Sequence, residues 1–344
     1  MINAKNLSEM QILIKIRMSN SQKLFKKGLS LFQKGEYKKA LHVFKKVPEK
    51  EQASLKYYHI GMCYVKLGKY EKALNMYKKV REIPVNEQGV QGHDMVYGMY
   101  INMGSVMQII GRKKMKKARM ANLKSTISRQ KEEMSEEQKI KEKLKQRRKK
   151  PSQPKDKDSP SKETTVLWRK MLNDAITCYE YALEIKDNDA RVWNNLGNAY
   201  LDLNKYGKAI ENLDKALALD NGFAEAYYSK ALAYSFMQIQ EKAIEYLEKA
   251  LQYKPENRIY LLRIIALLLG NNQFKKALKY AQDMAKYHPK NPESYKFLTL
   301  VLYNMEDYER AYESFKELLQ IRPNFSDPEL DTIFEDLKEK VSED

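Results

Sequence analysis

The chain has 344 residues, 43% of them apolar and 31% charged, with a formal net charge of +18. That is too apolar for a disordered chain and too charged for a membrane protein. Gly (13) and Pro (10) are scarce while Leu, Ala, Lys, Glu and Tyr dominate, which favours helices and disfavours short strands and turns.

Residues 1–20 read as an N-terminal extension. Its apolar run, Gln11 to Ile16, is broken by Lys15 and Arg17 and is followed by no small-residue cleavage site, so a secretory signal is not expected. Met18 is an alternative start. No segment reaches the ~18 apolar residues that span a bilayer. Only two cysteines, Cys63 and Cys178, are present, too few for a disulfide framework, which points to a reducing compartment.

Residues 21–111 carry a helical pattern with recurring small and aromatic positions. Gly28, Gly35, Tyr37, Ala40, Phe44 and Val47 mark a first unit over 21–53. Tyr57, Gly61, Tyr64, Gly68, Tyr70, Ala73, Tyr77 and Val80 mark a second over 54–87. A third begins with Tyr100, Met103, Gly104, Met107 and Gly111, but its second helix does not follow at once. That helix is Leu172, Ala175, Tyr179 and Ala182, after about 59 inserted residues.

The spacing also admits an alternative. Ala73 to Ala175 is 102 residues, three periods, which would admit two decayed repeats. The in-phase positions, Met107 and Lys141, are not small, and the step from Gly61 to Gly104 is 43 residues, out of phase. The pattern favours one repeat split by an insertion at 112–170.

The insertion is strongly basic. Charge is +11 over residues 1–111, +14 over 112–170 and −7 over 171–344. Residues 112–150 could extend as a solvated helix, with sparse Met115, Leu123, Ile127, Ile140 and Leu144. Residues 151–165 lack core-forming residues and are expected to be disordered. The clusters Arg112 to Arg119 and Lys145 to Lys150 are candidates for phosphate contacts, and the second for a nuclear import signal. Against this, charge runs are usually solvated faces, and no aromatics interleave for base stacking.

From 171 to 327 the repeat is regular. Alanine recurs at Ala175, Ala209, Ala243, Ala277 and Ala311, each 34 residues after the last. Tyr200, Tyr234, Leu268 and Leu302 keep the same step, and Pro255, Pro289 and Pro323 close three successive units. Each unit reads as two amphipathic helices that meet through a small residue and stop before proline. Residues 328–344, with Leu330, Ile333, Phe334, Leu337 and Val341, read as a capping helix and tail over the last apolar face.

This unit resembles the tetratricopeptide repeat. Residues 190–223 fit nearly throughout, with Trp193, Leu196, Gly197, Tyr200, Ala209, Leu213 and Ala216, and Asn221 where Pro is usual. The resemblance implies an all-α fold: a right-handed α-solenoid of about seven helix-turn-helix repeats with a C-terminal capping helix. It further implies a non-catalytic scaffold that holds a protein or peptide segment in a groove lined by first helices. The side chains it assigns to that groove are Asn102, Arg191, Asn194, Asn195, Asn198, Tyr228, Arg263 and Lys296. The asparagine amides among them offer both donors and acceptors.

The family's clamp for the acidic tail of heat-shock chaperones is incomplete here. Counting from residue 190, Asn198 and Arg263 fit, but Asn194, Ser229 and Ile259 stand where Lys, Asn and Lys are needed. Counting from residue 54, Asn102 and Arg191 fit, but Tyr58, Met62 and Asn195 do not. Chaperone-tail binding is therefore disfavoured.

No catalytic constellation, metal set or cofactor motif emerges. His42, His59, His93 and His288 are scattered over different units, and no phosphate-cradling glycine loop follows a strand. The expected class is thus an adaptor in the cytoplasm, or the nucleus of a eukaryote. The alternatives are an RNA- or nucleoprotein-associated factor acting through the insertion and an accessory subunit of an enzyme complex.

Overall fold

The computed structural model describes residues 20–83, 92–133 and 162–342, with some side chains in these ranges left undescribed. Among the described residues there are fifteen α-helices and no strand. Residues 1–19 of the N-terminal extension, the Lys145 to Lys150 cluster and residues 151–161 lie outside them, whereas residues 162–165, expected to be disordered, form the start of a helix.

The chain divides into two compact units, Met1–Asp187 and Asn188–Asp344. The first holds α1 (Asn20–Gln33), α2 (Tyr37–Lys46), α3 (Glu49–Lys66), α4 (Tyr70–Arg81), α5 (Gly92–Glu133) and α6 (Lys162–Ile185). The second holds α7 (Ala190–Asp202), α8 (Tyr206–Leu219), α9 (Ala224–Phe236) and α10 (Gln240–Tyr253). It continues with α11 (Arg258–Gly270), α12 (Phe274–Tyr287), α13 (Pro292–Asn304), α14 (Tyr308–Ile321) and α15 (Pro328–Ser342). Consecutive helices pair as hairpins, and each hairpin packs on the next within its unit.

One contact organises every hairpin. Ala40, Ala73, Ala175, Ala209, Ala243, Ala277 and Ala311 are all fully buried, at 0% exposure. In four hairpins a glycine on the first helix lets a large side chain of the second lie against its backbone. A methyl group added at Gly28, Gly61, Gly104 or Gly197 would come within 2.5–2.8 Å of Phe44, Tyr77, Tyr179 or Leu213. Such an approach is closer than packed carbon atoms allow.

The same close approach recurs between α5 and α6. Gly28–Phe44, Gly61–Tyr77 and Gly197–Leu213 are each 16 residues apart, whereas Gly104–Tyr179 is 75 residues apart with the same geometry. Helices α5 and α6 pack on each other as the paired helices of the compact hairpins do. Tyr179 Oη donates to Gln108 Oε1 at 3.1 Å, and Cys178 Sγ lies 3.9 Å from Met107 Sδ across the same interface. Helix α5 runs on past Gly111 without a break for 42 residues in all, against 13 for α7.

The turns inside the six compact repeats share a backbone. One residue in each adopts a left-handed conformation: Gly35, Gly68, Asn204, Gln238, Asn272 and Glu306, with φ between 55° and 77°. The following amide returns to a carbonyl five residues back, as in Lys205 N to Tyr200 O and Ile239 N to Tyr234 O, both 2.9 Å. This six-to-one bond closes the helix end with a tight reversal. Glycine adopts the conformation freely, asparagine tolerates it, and glutamine and glutamate are strained there.

Three of the first helices in the second unit, α7, α11 and α13, are capped at their starts by short side chains. Asp189, Asn257 and Asn291 accept from the second amide of α7, α11 and α13 at 2.9–3.0 Å. Proline at the first position of α13 has no amide to leave unpaired. Helix α15 closes the stack: its Leu330 and Leu337 are fully buried, and Phe334 stacks on Phe315 at 4.2 Å between centroids.

His59 on α3 is wedged between Phe25 and Phe44, with ring centroids at 5.0 and 5.3 Å. Its Nδ1 lies 2.8 Å from the Leu55 carbonyl oxygen. Burial lowers the imidazole pKa below its ordinary 6.5, with the Leu55 carbonyl opposing in part. The unfolded chain therefore takes up the proton more readily than the folded one.

Three outcomes follow from this packing. Gly61→Ala places a methyl against a fully buried tyrosine ring, which outweighs the gain in helix propensity; chemical denaturation should show a net loss of about 1–2 kcal/mol. Gln238→Gly should raise stability by about 0.5–1 kcal/mol in the same assay, because it removes left-handed strain. The contribution of His59 is fully present above about pH 6.5 and declines as pH falls toward its lowered native pKa. His59→Phe should flatten the pH dependence of the melting temperature below pH 6.5.

Candidate partner-binding site

The first helices of the second unit, α7, α9, α11 and α13, each use one side to hold the packing contacts described above. The side chains one turn away form a second face. In α9 and α11 that face is held together by aromatic and polar contacts. Tyr228 stacks on Tyr260 with centroids 4.7 Å apart and the rings 23° from parallel. Burial pushes the Tyr228 phenol up, and the guanidinium of Arg263 opposes it.

Arg263 connects successive helices. Its Nη2 donates to Ser235 Oγ at 3.3 Å, while its buried Nε has no hydrogen-bond partner among the described residues. Asn198 of α7 accepts from Ser229 Oγ of α9 at 2.8 Å. These bonds fix the direction of each polar group yet leave donors and acceptors over. A guanidinium has five N–H donors, and an amide has two donors and two acceptor lone pairs.

The remaining expected site residues are placed differently. Asn194 is buried, and its Oδ1 has no partner among the described residues. Asn195 is half-buried on the same helix. Arg191 is exposed and folds back on the capping Asp189, donating Nη2 to Oδ2 at 2.6 Å. Lys296 of α13 is half-buried in an ion pair with Asp327, ahead of the capping helix. Asn102 belongs to the first unit, where its Nδ2 donates to Tyr58 Oη at 3.3 Å.

Ser229, Ser235, Tyr260 and Asp327 are partners that the sequence reading did not assign to the site. Their signal was their one-turn spacing on the first helices, or the ion-pair partner just before α15. On the outer side of α9, Lys230 is buried and donates to Asp214 at 2.5 Å, with its ammonium 4.2 Å from the Tyr246 ring centre. Burial lowers its pKa, but Asp214 and Tyr246 outweigh that and leave it raised.

The chemistry elsewhere is quiet. Both cysteines are buried and free, and burial pushes each thiol up to about 12, which makes them inert as nucleophiles. Among the described residues no group of three or more His, Cys, Asp or Glu could hold a metal ion. Among the same residues no helix is long and apolar enough to cross a membrane.

Comparison with known proteins places these elements. Family models described as tetratricopeptide repeat or TPR repeat match residues 169–203, 190–223, 224–257, 241–301 and 294–329. A model for subunit 3 of the anaphase-promoting complex, cyclosome, matches residues 11–80. A TPR repeat-containing protein of Methanocaldococcus jannaschii is 30% identical over 152 residues, which is 44% of this chain and 26% of that protein. The BBSome complex member BBS4 of Bos taurus is 27% identical over 142 residues, 41% of this chain and 27% of its own. The chain thus spans about a quarter of the length of these relatives. Among solved structures, the C-terminal part of a TPR repeat-containing protein from Cytophaga hutchinsonii superposes with a TM-score of 0.55 at 15% identity, covering 88% of this chain and 96% of that one.

Proposed function

Because the chain belongs to the tetratricopeptide repeat family, we propose that it is a non-catalytic adaptor that holds a partner segment on the first-helix face of its second unit. Repeats of this family generally mediate protein–protein contacts, and their scaffold is typically non-catalytic. The observation that carries the reading is the set Asn198–Ser229, Tyr228–Tyr260 and Arg263–Ser235. Each pair joins two neighbouring first helices and keeps spare hydrogen-bonding capacity. Rigid aromatic anchors beside oriented polar groups are what an interface needs for energy and specificity.

Arg263 and Asn198 suit a peptide that presents main-chain carbonyls and amides together with a carboxylate. Tyr228 supplies apolar area beside them. Names among the relatives support an assembly role: a BBSome complex member, an Hsp70-Hsp90 organizing protein of Triticum aestivum and a peroxisomal targeting signal receptor of Kluyveromyces lactis. Each matches this chain over less than half of its own length, so their particular partners are not carried over.

The test is affinity capture with the full chain beside the double variant Asn198→Ala/Arg263→Ala, with bound proteins identified and their affinities measured. Truncating two anchors should weaken a retained partner by about tenfold or more, on the order of 1.4 kcal/mol or above. Equal retention by the variant would remove this face as the binding site. Circular dichroism should be unchanged, since both side chains lie off the alanine contacts.

A further inference from the structure

Helix α5 overshoots the repeat it belongs to. Gly111 lies against Leu172 and the Trp168 carbonyl of the partner helix. Beyond it α5 continues for 22 residues, about 33 Å at 1.5 Å per residue. Helix α6 likewise starts at Lys162, before the packing residues Leu172 and Ala175. The two extensions form an antiparallel helical hairpin at the base of the insertion.

One side of the α5 extension is used. Ala118 and Ala121 are buried. About half a turn round from Ala118 the helix presents Met120, Leu123 and Ile127, which are 50%, 54% and 43% exposed. Their spacing of three and four residues puts them in one stripe two turns long. Exposed Lys116, Lys117, Arg119 and Lys124 surround that stripe. Residues 112–133 hold nine basic and two acidic groups.

The charge selects what can cover the stripe. A second copy of the hairpin would bring like charges together, which is unfavourable at close range. The connecting residues 134–161 are also basic on balance, with ten basic and five acidic groups. A lipid surface would match the charge, but the stripe is narrow and carries no aromatic ring for the interface. Its Met, Leu and Ile instead match the apolar seam of one partner helix, and methionine adapts to such a seam.

We propose that this outward face of the α5 extension docks an acidic amphipathic helix of a partner protein. The helix would lay its apolar seam on Met120, Leu123 and Ile127. Its flanking carboxylates would face Lys116, Lys117, Arg119 and Lys124. This site is separate from the face in the second unit, so the two could hold different segments.

The test titrates the full chain, by fluorescence anisotropy, with a labelled synthetic helix carrying leucines at seam positions and glutamates beside them. A counterpart with lysine in place of each glutamate serves as control. The acidic helix should bind saturably and weaken with salt, and the lysine helix should not bind. The variant M120S/L123S/I127S, whose changed side chains are exposed, should keep its circular dichroism and bind at least tenfold more weakly. N198A/R263A should bind this probe as the unaltered chain does. Undiminished binding by the triple-serine variant would overturn the proposal, as would co-sedimentation with phosphatidylserine vesicles in place of peptide binding. Self-association in sedimentation velocity that the same variant abolishes would assign the stripe to a second copy and overturn it likewise.

Discussion

Each hairpin depends on a side chain that is almost not there. Seven alanines with no exposed surface sit at the helix crossings, and four glycines face a phenylalanine, tyrosine or leucine from the opposite helix. With so little volume at the crossing, two backbones can approach until the large neighbours on either side interlock. Everything else is arranged around that approach. The left-handed turn sets the reversal that lets the second helix return, and the capped starts set where the next first helix begins. The face available to a partner is what remains once these demands are met.

That division of labour explains why the proposed partner face is built from bridging pairs. A first helix has one side for its own second helix and neighbours. The side chains a turn further on are free to be polar, provided that something holds them. Ser229 to Asn198 and Ser235 to Arg263 supply that hold across successive helices, and the Tyr228–Tyr260 stack does so with aromatic faces. Ordering a long side chain costs conformational entropy, and a chain already ordered in the free protein does not lose it again on binding.

The fold was legible because its governing contact has a fixed period. Small residues 34 apart announce crossings, and every alanine named from the sequence is fully buried. Tyr179 of α6 meets Gly104 of α5 as Phe44, Tyr77 and Leu213 meet their glycines. Other features had no such signal. The unbroken run of α5 through Gly111 has weak amphipathic contrast along its length, although a solvated helix beyond residue 112 was expected from the sequence and helix is found as far as Glu133. Gln238 and Glu306 carry nothing that marks a left-handed turn, and only their positions in the repeat could have done so. Asn194 looks like its neighbours Asn195 and Asn198 in the sequence, yet it is buried where Asn195 is half-buried. A difference of one residue on a helix is a rotation of 100°, and composition does not resolve it.

The long separation between α5 and α6 in the chain has a kinetic consequence. In the compact hairpins the paired glycine and ring are 16 residues apart, and in this one they are 75 apart. For a flexible chain, the entropy of bringing the ends together grows with the logarithm of the separation, which makes this closure costlier by about 1.4 kcal/mol. Closure rates fall with sequence separation, so the neighbouring hairpins gain their contacts first and offer a preformed surface. Gly104 and Tyr179 then meet late, and α5 and α6 are the last pair of the first unit to dock. During synthesis the ribosome also delivers Gly104 well before Tyr179, leaving the first helix waiting for its mate while the insertion is made.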